Sequence, residues 1–249
     1  MRENMVQALG VEGERRVRSA AIAHAGKTIL ELPKIWLQPL DKAAALIIST
    51  SGMELAEEAL QKGRGIIFLT PHLGCFDITA QYKSMDAPIT VLYRPPKQHW
   101  LREIVRQGRV REQMNIATAD LAGVRVLLKA LKRGESVGIL PDQTPQAGEG
   151  LWFNFFGRPA YTMTLAARLT ENGATVIMAV AERLPKGRGF HFRLSLPTQP
   201  ITGTTRERAQ KINHELEHLI LQYPEQYLWA YNRYKHPRGA ELPPDRIIE

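Results

Sequence analysis

The stretch that decides the fold is residues 65–94, GIIFLTPHLGCFDITAQYKSMDAPITVLYR. Its first apolar run, GIIFLT, has the length of a buried strand, and so does its last run, PITVLYR. The segment CFDITAQYKS between them suits a short helix. Two parallel strands need a crossover connection of this kind, so the stretch predicts a strand, helix, strand unit of an α/β protein.

The rest of the chain repeats this alternation. Helices are predicted over residues 97–113, 120–133 and 162–171, and strands over 136–140, 174–182 and 190–196. Thr204 and Glu207 form a capping box that opens a last helix, which runs to about residue 223. The pattern over residues 1–62 predicts only helices, and Ser51 and Glu54 have the spacing of a second capping box that would open one of them.

This pattern predicts a single α/β domain over residues 1–249, with a central, mostly parallel sheet flanked by helices. Its parts are a helical N-terminal region at 1–62, a core at 63–237 and a tail at 238–249. At 249 residues the chain is long enough to bury a substantial core.

The charge balance favours anionic partners. Lysine and arginine number 33 against 25 acids, a net charge of +8. Such a charge suits nucleic acid, lipid headgroups, a phosphorylated substrate or an acidic carrier protein. The single cysteine excludes an internal disulfide and a cysteine-rich zinc site. No apolar segment approaches the ~20 residues that span a bilayer, and the first residues do not resemble a secretory signal.

His72 and Asp77 come directly after the first strand of the deciding stretch, where α/β proteins usually bind ligands. If His72 lies in the loop and Asp77 in the first turn of the next helix, the carboxylate can orient the imidazole. The other ring nitrogen is then free to take a proton from a hydroxyl. Spacing alone favours a simpler interpretation, a hydrogen-bonded core histidine beside a first-turn acid.

Several blocks of sequence carry a family resemblance. PHLGCFD, at residues 71–77, resembles the His-X4-Asp/Glu motif of glycerolipid and lysophospholipid acyltransferases. Five further blocks resemble the bacterial lipid A biosynthesis acyltransferases and occur in that family's order: VLYRPPK, GVR, GILPDQ, FFGRPAYT and PEQYLWAYNRYK. The resemblance extends from about residue 20 to residue 237. It implies a glycerolipid acyltransferase-like fold and O-acyl transfer to a lipid A precursor.

The resemblance also implies roles for single residues. His72 is expected to act as general base on the acceptor hydroxyl, with Asp77 orienting it, and the hydroxyl attacks an acyl thioester. Acyl carrier protein is the expected donor, and its acidic surface suits the net charge of this chain. The thioester is already activated, so neither a metal nor another cofactor is expected.

Binding residues are expected at the same edge of the sheet. Arg94 ends the second strand and could hold a phosphate or the oxyanion, or it could be an ordinary surface arginine. Asp142 and Gln143 end the third strand and could bind Arg94 or the acceptor sugar, although Asp142 could equally cap a turn. Weaker or family-based candidates for acceptor binding are Arg125, Gly157 and Arg158.

The basic segment after the second strand suggests a membrane surface. On a helix, arginines at 102, 106 and 109 form a stripe beside apolar side chains at 101, 104 and 105. Such a face could lie on an anionic bilayer, and a packed helix with a solvated basic flank is the alternative. The family's acceptor resides in a membrane, which favours the bilayer.

Three other patterns have simpler explanations. Cys75 could serve as a thiol nucleophile with His72 as its base, but an isolated cysteine on an apolar face is usually packed. Four aromatic residues could line an acyl channel or belong to the core; they are Trp152, Phe153, Phe155 and Phe156. His214 and His218 are four residues apart and lack a third ligand, so no zinc site is predicted.

Family members usually begin with a hydrophobic anchor, whereas this chain begins with a polar helix. The expected location is the cytoplasmic face of the inner membrane, peripherally or through an anchor absent from this chain. A lysophospholipid or another membrane lipid is the alternative acceptor. A non-catalytic basic protein that binds lipid or nucleic acid is the alternative of another class. No nucleic-acid reading motif is present, so nucleic acid is not an expected partner.

Overall fold

The computed structural model describes residues 1–96 and 98–244. Its helices are α1 (Arg2–Leu37), α2 (Leu40–Ala44), α3 (Met53–Gln61), α4 (Phe76–Lys83), α5 (His99–Arg109), α6 (Leu121–Lys132), α7 (Leu165–Thr170) and α8 (Thr205–Gln222). Its strands are β1 (Ile47–Ser51), β2 (Ile66–Leu69), β3 (Ile89–Tyr93), β4 (Met114–Thr118), β5 (Ser136–Ile139), β6 (Gly150–Phe155), β7 (Arg158–Met163), β8 (Thr175–Arg183) and β9 (Phe190–Ser195).

Seven of these strands form the central sheet, in the order β1-β9-β8-β2-β5-β3-β4. Every neighbouring pair is parallel except β8 and β9. The predicted α/β class with a mostly parallel sheet is therefore confirmed. Strand β2 lies near the middle, and all four of its residues are buried, as expected for the apolar run IIFL.

Helices cover both faces of this sheet, and alternate side chains of its strands divide into two cores. The residues of one face, including Ile67, Leu69, Val137 and Ile139, pack with α6, α7 and α8. The residues of the other face, including Phe68, Ile89, Val91 and Ala179, pack with α3, α4 and the C-terminal end of α1. Residues that follow β2, β5 and β3 all emerge at the carboxyl edge between these two layers.

Several predicted helix ends are confirmed by their capping bonds. Thr204 and Glu207 form the predicted capping box of α8. Asp120 accepts a hydrogen bond from the Gly123 backbone and caps α6, which matches the helix predicted over residues 120–133. The strand, helix, strand unit over β2, α4 and β3 is also present.

The prediction of helices alone over residues 1–62 was wrong, and so was its capping box. Ser51 is the last residue of β1 and pairs with Arg193 of β9. The residue at the N-cap of α3 is Gly52, not Ser51. Gly52 has φ +74, and a Cβ there would lie 2.1 Å from the Leu194 carbonyl oxygen. Because the chain turns sharply here to leave the sheet edge, Ser51 is not available as the cap.

Three other strands, β4, β6 and β7, were missed by the periodicity analysis. The predicted helix over 97–113 ends at Arg109, and β4 follows it; residue 97 lies outside the described residues. The predicted helix over 162–171 begins only at Leu165, because residues 158–163 pair with β6 in a two-stranded hairpin. Residues 245–249 of the predicted tail also lie outside the described part.

No helix in the described ranges combines the length and the apolar character required to cross a bilayer. Residues 224–236, here called the closing segment, follow α8 and return to the carboxyl edge of the sheet. The Leu228 backbone donates to the His72 carbonyl oxygen at 2.9 Å, and the Gly74 backbone donates to the Gln226 carbonyl oxygen at 3.1 Å. The closing segment thereby holds the loop after β2.

Candidate active site

The centre of the site is a histidine bound to a buried carboxylate. His72 Nδ1 lies 2.7 Å from Asp142 Oδ1, and the His72 backbone N–H donates to Asp142 Oδ2 at 2.9 Å. Asp142 is 1% exposed. Burial by itself raises the pKa of Asp142, but the His72 side chain and its hydrogen bonds outweigh burial and hold that pKa below its ordinary value. Asp142 is therefore ionised at neutral pH.

Strand register explains why these two residues meet. Strands β2 and β5 are parallel neighbours in which Leu69 is opposite Ile139. His72 and Asp142 each lie three residues beyond that pair. The Thr70 backbone donates to the Ile139 carbonyl oxygen at 3.1 Å, so the pairing continues past the ends of the strands. The two loops therefore place the imidazole and the carboxylate side by side.

The other ring nitrogen of His72 faces a cavity. Gln143 Nε2 lies 3.1 Å from His72 Nε2, and the side chains of both residues line the cavity. Because the Asp142 carboxylate accepts a hydrogen bond from His72 Nδ1, the neutral tautomer is assigned with its proton on Nδ1. This tautomer leaves a lone pair on Nε2. The Gln143 amide then donates to this lone pair, on the side of the ring that faces the cavity.

The structure corrects the predicted partner of His72. The Asp77 carboxylate does not hold the imidazole; it accepts two hydrogen bonds from Arg109, at 2.9 Å from Nε and 2.7 Å from Nη2. Asp77 lies in the first turn of α4, as predicted, and is buried. Its side chain points towards α5, because the helix fixes its direction. Both Asp77 and Arg109 line the cavity.

Arg109 also departs from its predicted place on an outward basic stripe. Its guanidinium lies 5.7 Å from the ring centre of Trp36 and 5.8 Å from that of Tyr93. Burial is the largest single influence and lowers the pKa of Arg109, but the charge of Asp77, its hydrogen bonds and the nearby Tyr93 together outweigh burial and leave that pKa above its ordinary value. Arg102 and Arg106 remain exposed, as predicted.

The cavity has a volume of about 1030 Å³ and opens at the carboxyl edge. Its apolar lining comes from both faces of the sheet. On one face lies the α4 lobe, lined by Phe68, Thr79, Ala80, Lys83, Ile89, Val91, Met114, Gly138, Ala179 and Phe192. On the other face lies the α6–α7 lobe, lined by Leu92, Leu121, Val124, Leu128, Met163, Leu165, Arg168 and Leu169.

Arg94 lines the cavity at its rim, as its position at the end of β3 predicted. Its guanidinium forms an ion pair of 3.2 Å with Glu149, and both side chains are partly exposed. Sequence reasoning missed Glu149, because it lies in a loop that carries no periodic pattern. An anionic ligand would compete with this carboxylate for Arg94.

The remaining predicted binding residues lie away from the cavity lining. Gly157, at φ +71, forms the tight turn of the hairpin with Phe156, whose φ is also positive. Arg158 is exposed and stacks over Tyr234 at 4.6 Å. Arg125 is exposed on the outer face of α6. Their predicted roles in acceptor binding remain predictions.

The closing segment supports Asp142 from behind, which the sequence did not reveal. Tyr231 accepts a hydrogen bond from the Thr144 backbone at 2.9 Å, and Thr144 Oγ1 donates to the Arg233 carbonyl oxygen. Arg233 is fully buried, which lowers the pKa of its guanidinium. Its charge acts on Asp142 and helps to lower the pKa of that carboxyl group. Both loops of the histidine–aspartate pair are thus fixed by one segment.

The simpler explanations hold for the cysteine and the aromatic cluster. Cys75 is buried, and burial raises the pKa of its thiol well above the ordinary value. Phe153 and Phe155 belong to the core beneath α8. Neither they nor Cys75 are among the described residues that line the cavity. In the described ranges no cluster of three metal-ligating side chains occurs.

The α/β fold places a histidine–carboxylate pair at the mouth of a largely apolar cavity. Such a site suits acyl transfer onto a lipid alcohol. Comparison with known families agrees. Residues 1–236 match the family described as bacterial lipid A biosynthesis acyltransferase. The chain belongs to this family, and it is an acyltransferase of lipid A biosynthesis.

Individual relatives support the assignment. The chain is 28% identical over 222 residues to a lipid A biosynthesis lauroyltransferase of Escherichia coli K12, covering 86% of this chain and 71% of that protein. It is 25% identical over 197 residues to a lipid A biosynthesis acyltransferase of Haemophilus influenzae, covering 76% and 60%. It is 23% identical over 212 residues to a lipid A biosynthesis palmitoleoyltransferase of E. coli K12, covering 84% and 68%.

Proposed function

We propose that this protein transfers an acyl chain from an acyl carrier protein thioester to a hydroxyl group of a lipid A precursor. His72 acts as the general base and Asp142 orients it. The observation that carries this proposal is the 2.7 Å contact between His72 Nδ1 and Asp142 at the mouth of the cavity. Family membership supplies the class of reaction and of acceptor.

The proposed step needs no redox partner. The acceptor hydroxyl displaces the Gln143 amide from His72 Nε2 and gives its proton to that nitrogen. Its oxygen attacks the thioester carbonyl carbon, and the carbon–sulfur bond then breaks. The proton passes from Nε2 to the leaving thiolate. Asp142 holds the tautomer that accepts this proton, and its charge stabilises the imidazolium that forms between the two proton transfers.

The donor's acyl chain is proposed to bind in the α4 lobe. Its lining is mostly apolar and reaches Ile89 at the start of β3; Thr79 and Lys83 are its polar residues, and the Asp77–Arg109 pair lines the same cavity beside α4. Between Arg94 at the rim and Ile89 lie five residue steps, which at ~3.3 Å make about 16 Å. At ~1.3 Å per carbon along a chain of ~1.5 Å bonds, about twelve carbons fit in this length.

The exposed side chains of α1 and α5 support the membrane contact that the proposed location at the inner membrane requires. Trp100 on α5 is 72% exposed and Ile104 is 40% exposed, beside Arg102 and Arg106. On α1, the apolar residues Ile22, Ile29, Leu30 and Leu37 are also exposed. Arginines beside exposed apolar side chains suit a surface that contacts headgroups and the upper acyl region.

A transfer assay tests the proposal. Purified protein is incubated with labelled acyl carrier protein thioesters and, separately, with a lipid A precursor or a lysophospholipid, and products are identified by mass. We expect one added acyl chain on the lipid A precursor. Preferential labelling of the lysophospholipid would favour that alternative acceptor. If no lipid were labelled with acyl carrier protein or coenzyme A donors, the chain would be a non-catalytic lipid binder.

A further inference from the structure

The outer face of α6 carries charges of one sign. The helix contains three cations, Arg125, Lys129 and Lys132, and no acidic residue. All three side chains are exposed, and so is Leu121 at the start of the helix. At 3.6 residues per turn, these four residues fall within about 80° of the helix circumference. We call this stripe of Leu121, Arg125, Lys129 and Lys132 the α6 basic face.

The cations of the α6 basic face have no acidic partner within the described part of the chain. There, none of the three forms an ion pair or a side-chain hydrogen bond. Other exposed helices differ: Arg106 of α5 pairs with Glu103 of the same helix, and α8 mixes basic and acidic residues along its length. Because like charges four residues apart disfavour a helix, a face of one sign indicates an anionic partner.

The α6 basic face begins at the cavity that His72 lines. Asp120, Leu121 and Val124, at the N-terminal end of α6, line the same cavity. From Leu121 to Lys132 the face extends over the length of the helix, which at ~1.5 Å per residue is about 16 Å. A single phosphate group at the mouth contacts only the first turn, whereas a protein contacts the whole length. The partner of this face is therefore better matched by a protein than by the acceptor's headgroup.

The exposed apolar side chains that suit a bilayer lie on the other side of the sheet. Trp100 and Ile104 belong to α5, which packs against the C-terminal end of α1; a Cβ at Gly108 would lie 2.3 Å from Trp36 Cβ. Trp36 packs on one core of the sheet, whereas Leu127 of α6 belongs to the other. The α6 basic face also carries no aromatic residue. An acidic protein fits this face better than a lipid surface does.

We propose that the α6 basic face is the surface on which the acidic acyl carrier protein docks when it delivers its acyl thioester to the cavity. This inference rests on the proposed function. Complementary charges steer such a partner to the surface and fix its orientation. With the carrier on α6, the thioester arm enters the cavity past Leu121. The inference also assigns Arg125 to the donor, whereas the sequence predicted it as an acceptor ligand.

Two double charge reversals provide a matched test. Lys129→Glu with Lys132→Glu changes the α6 basic face. Lys186→Glu with Arg193→Glu makes the same change in net charge at exposed positions after β8 and on β9. These strands lie at the other end of the sheet from β3, β4 and β5, which α6 contacts. Each protein is assayed with the dodecanoyl thioester of acyl carrier protein and with that of free phosphopantetheine.

The two donors separate docking from chemistry, because they share the thioester and differ only in the carrier protein. We expect the α6 double variant to raise the KM for the carrier-bound donor about tenfold or more and to leave the KM for the free donor within about twofold. The control double variant should leave both KM values within about twofold of the wild type. Added salt should raise the wild-type KM for the carrier-bound donor and change that of the α6 double variant less.

Direct titration of acyl carrier protein into each variant keeps the inference testable if the free thioester is too poor a donor. The dissociation constant should rise about tenfold or more in the α6 double variant and stay near the wild-type value in the control. Urea unfolding verifies that both variants fold. Lys129→Gln with Lys132→Gln serves if glutamates disfavour the C-terminal end of the helix.

Three results overturn the inference. One is a KM and a dissociation constant for the carrier in the α6 double variant that equal those of the control. Another is an equal rise in KM for both donors, which would place the effect in the cavity. The third is weaker binding to anionic phospholipid vesicles with unchanged binding of the carrier, which would assign the face to the membrane. Failure of the proposed function looks different, because the unmodified protein itself would then transfer no acyl chain from the carrier to the lipid A precursor.

Discussion

Asp142 and Asp77 are both buried acids near the mouth of one cavity, yet they bind different basic side chains. Asp142 binds the imidazole of His72 through a neighbouring loop of the sheet. Asp77, only five residues from His72 in sequence, binds the guanidinium of Arg109 instead. Sequence proximity therefore does not identify the carboxylate that binds the histidine. Strand register does, because it decides which loops are adjacent.

The largest expected effect comes from removing His72, the proposed base. His72→Ala and His72→Asn should each lower kcat by about 10³-fold or more, because neither side chain can accept the proton. The Asn amide can still donate to Asp142, so only His72→Ala leaves that buried carboxylate without its side-chain donor. Steady-state kinetics and urea unfolding of both variants measure the two effects. Near wild-type turnover in either variant would exclude His72 as the base.

The next effect sharpens the comparison at Asp142. Asp142→Asn should lower kcat by about 10²-fold while the KM changes little, because the tautomer and the imidazolium lose their support. A kcat within a few fold of the wild type would show that Asp142 only caps the turn.

Acid stability provides a second measurement on Asp142. Its folded pKa is lowered, so its interactions with His72 contribute stability that is fully present above an unfolded pKa of ~3.9 and is lost as the pH falls through the folded value. Wild-type protein should lose this part of its unfolding free energy below about pH 4. Asp142→Asn should lose less over the same range in urea titrations; an equal loss would contradict the assigned direction.

Asp77 is expected to act through Arg109. Asp77→Asn leaves that guanidinium unpaired and should cost about 2 to 3 kcal/mol of unfolding free energy, below the ~3–5 kcal/mol of a fully buried pair because Arg109 is partly exposed. Arg109→Gln and the double variant complete a thermodynamic cycle. We expect a coupling free energy of at least about 1 kcal/mol. Strictly additive losses would show that the two residues do not stabilise each other.

The smallest effect is expected at the rim. Glu149→Gln frees Arg94 for an anionic acceptor and should lower the acceptor KM about two- to fivefold, with less than ~0.5 kcal/mol change in stability. Glu135→Gln breaks another partly exposed arginine–glutamate pair, with Arg133, away from the cavity lining, and serves as the control. Equal acceptor KM values in both variants would remove Arg94 from acceptor binding.

Local patterns were sufficient for the central elements of the fold. The apolar run of β2, the capping box of α8 and the leucine spacing of α6 each report a local property, so all three were found. β1 and β4 were missed because each has only one partner strand at an edge of the sheet and an irregular burial pattern. The hairpin of β6 and β7 was missed because its pairing is decided by the turn at Phe156 and Gly157.

For the site, the histidine was predictable and its partner was not. Asp142 was predicted only as a ligand of Arg94 or the sugar, or as a turn cap. The equal three-residue offsets of His72 and Asp142 from the ends of β2 and β5 are a usable signal. They require knowledge that these strands are neighbours, although β3 and β4 lie between them in sequence. The closing segment's support likewise depends on contacts across more than 80 residues.

The most direct test of the account is the ring-nitrogen NMR spectrum of His72 in three proteins: the wild type, Asp142→Asn and Asp77→Asn. At a pH where the imidazole is neutral, we predict a proton fixed on Nδ1 in the wild type and in Asp77→Asn. In Asp142→Asn we predict a mixture of tautomers. An unchanged Nδ1–H tautomer in Asp142→Asn, together with a mixture in Asp77→Asn, would contradict the claim that Asp142 orients the base.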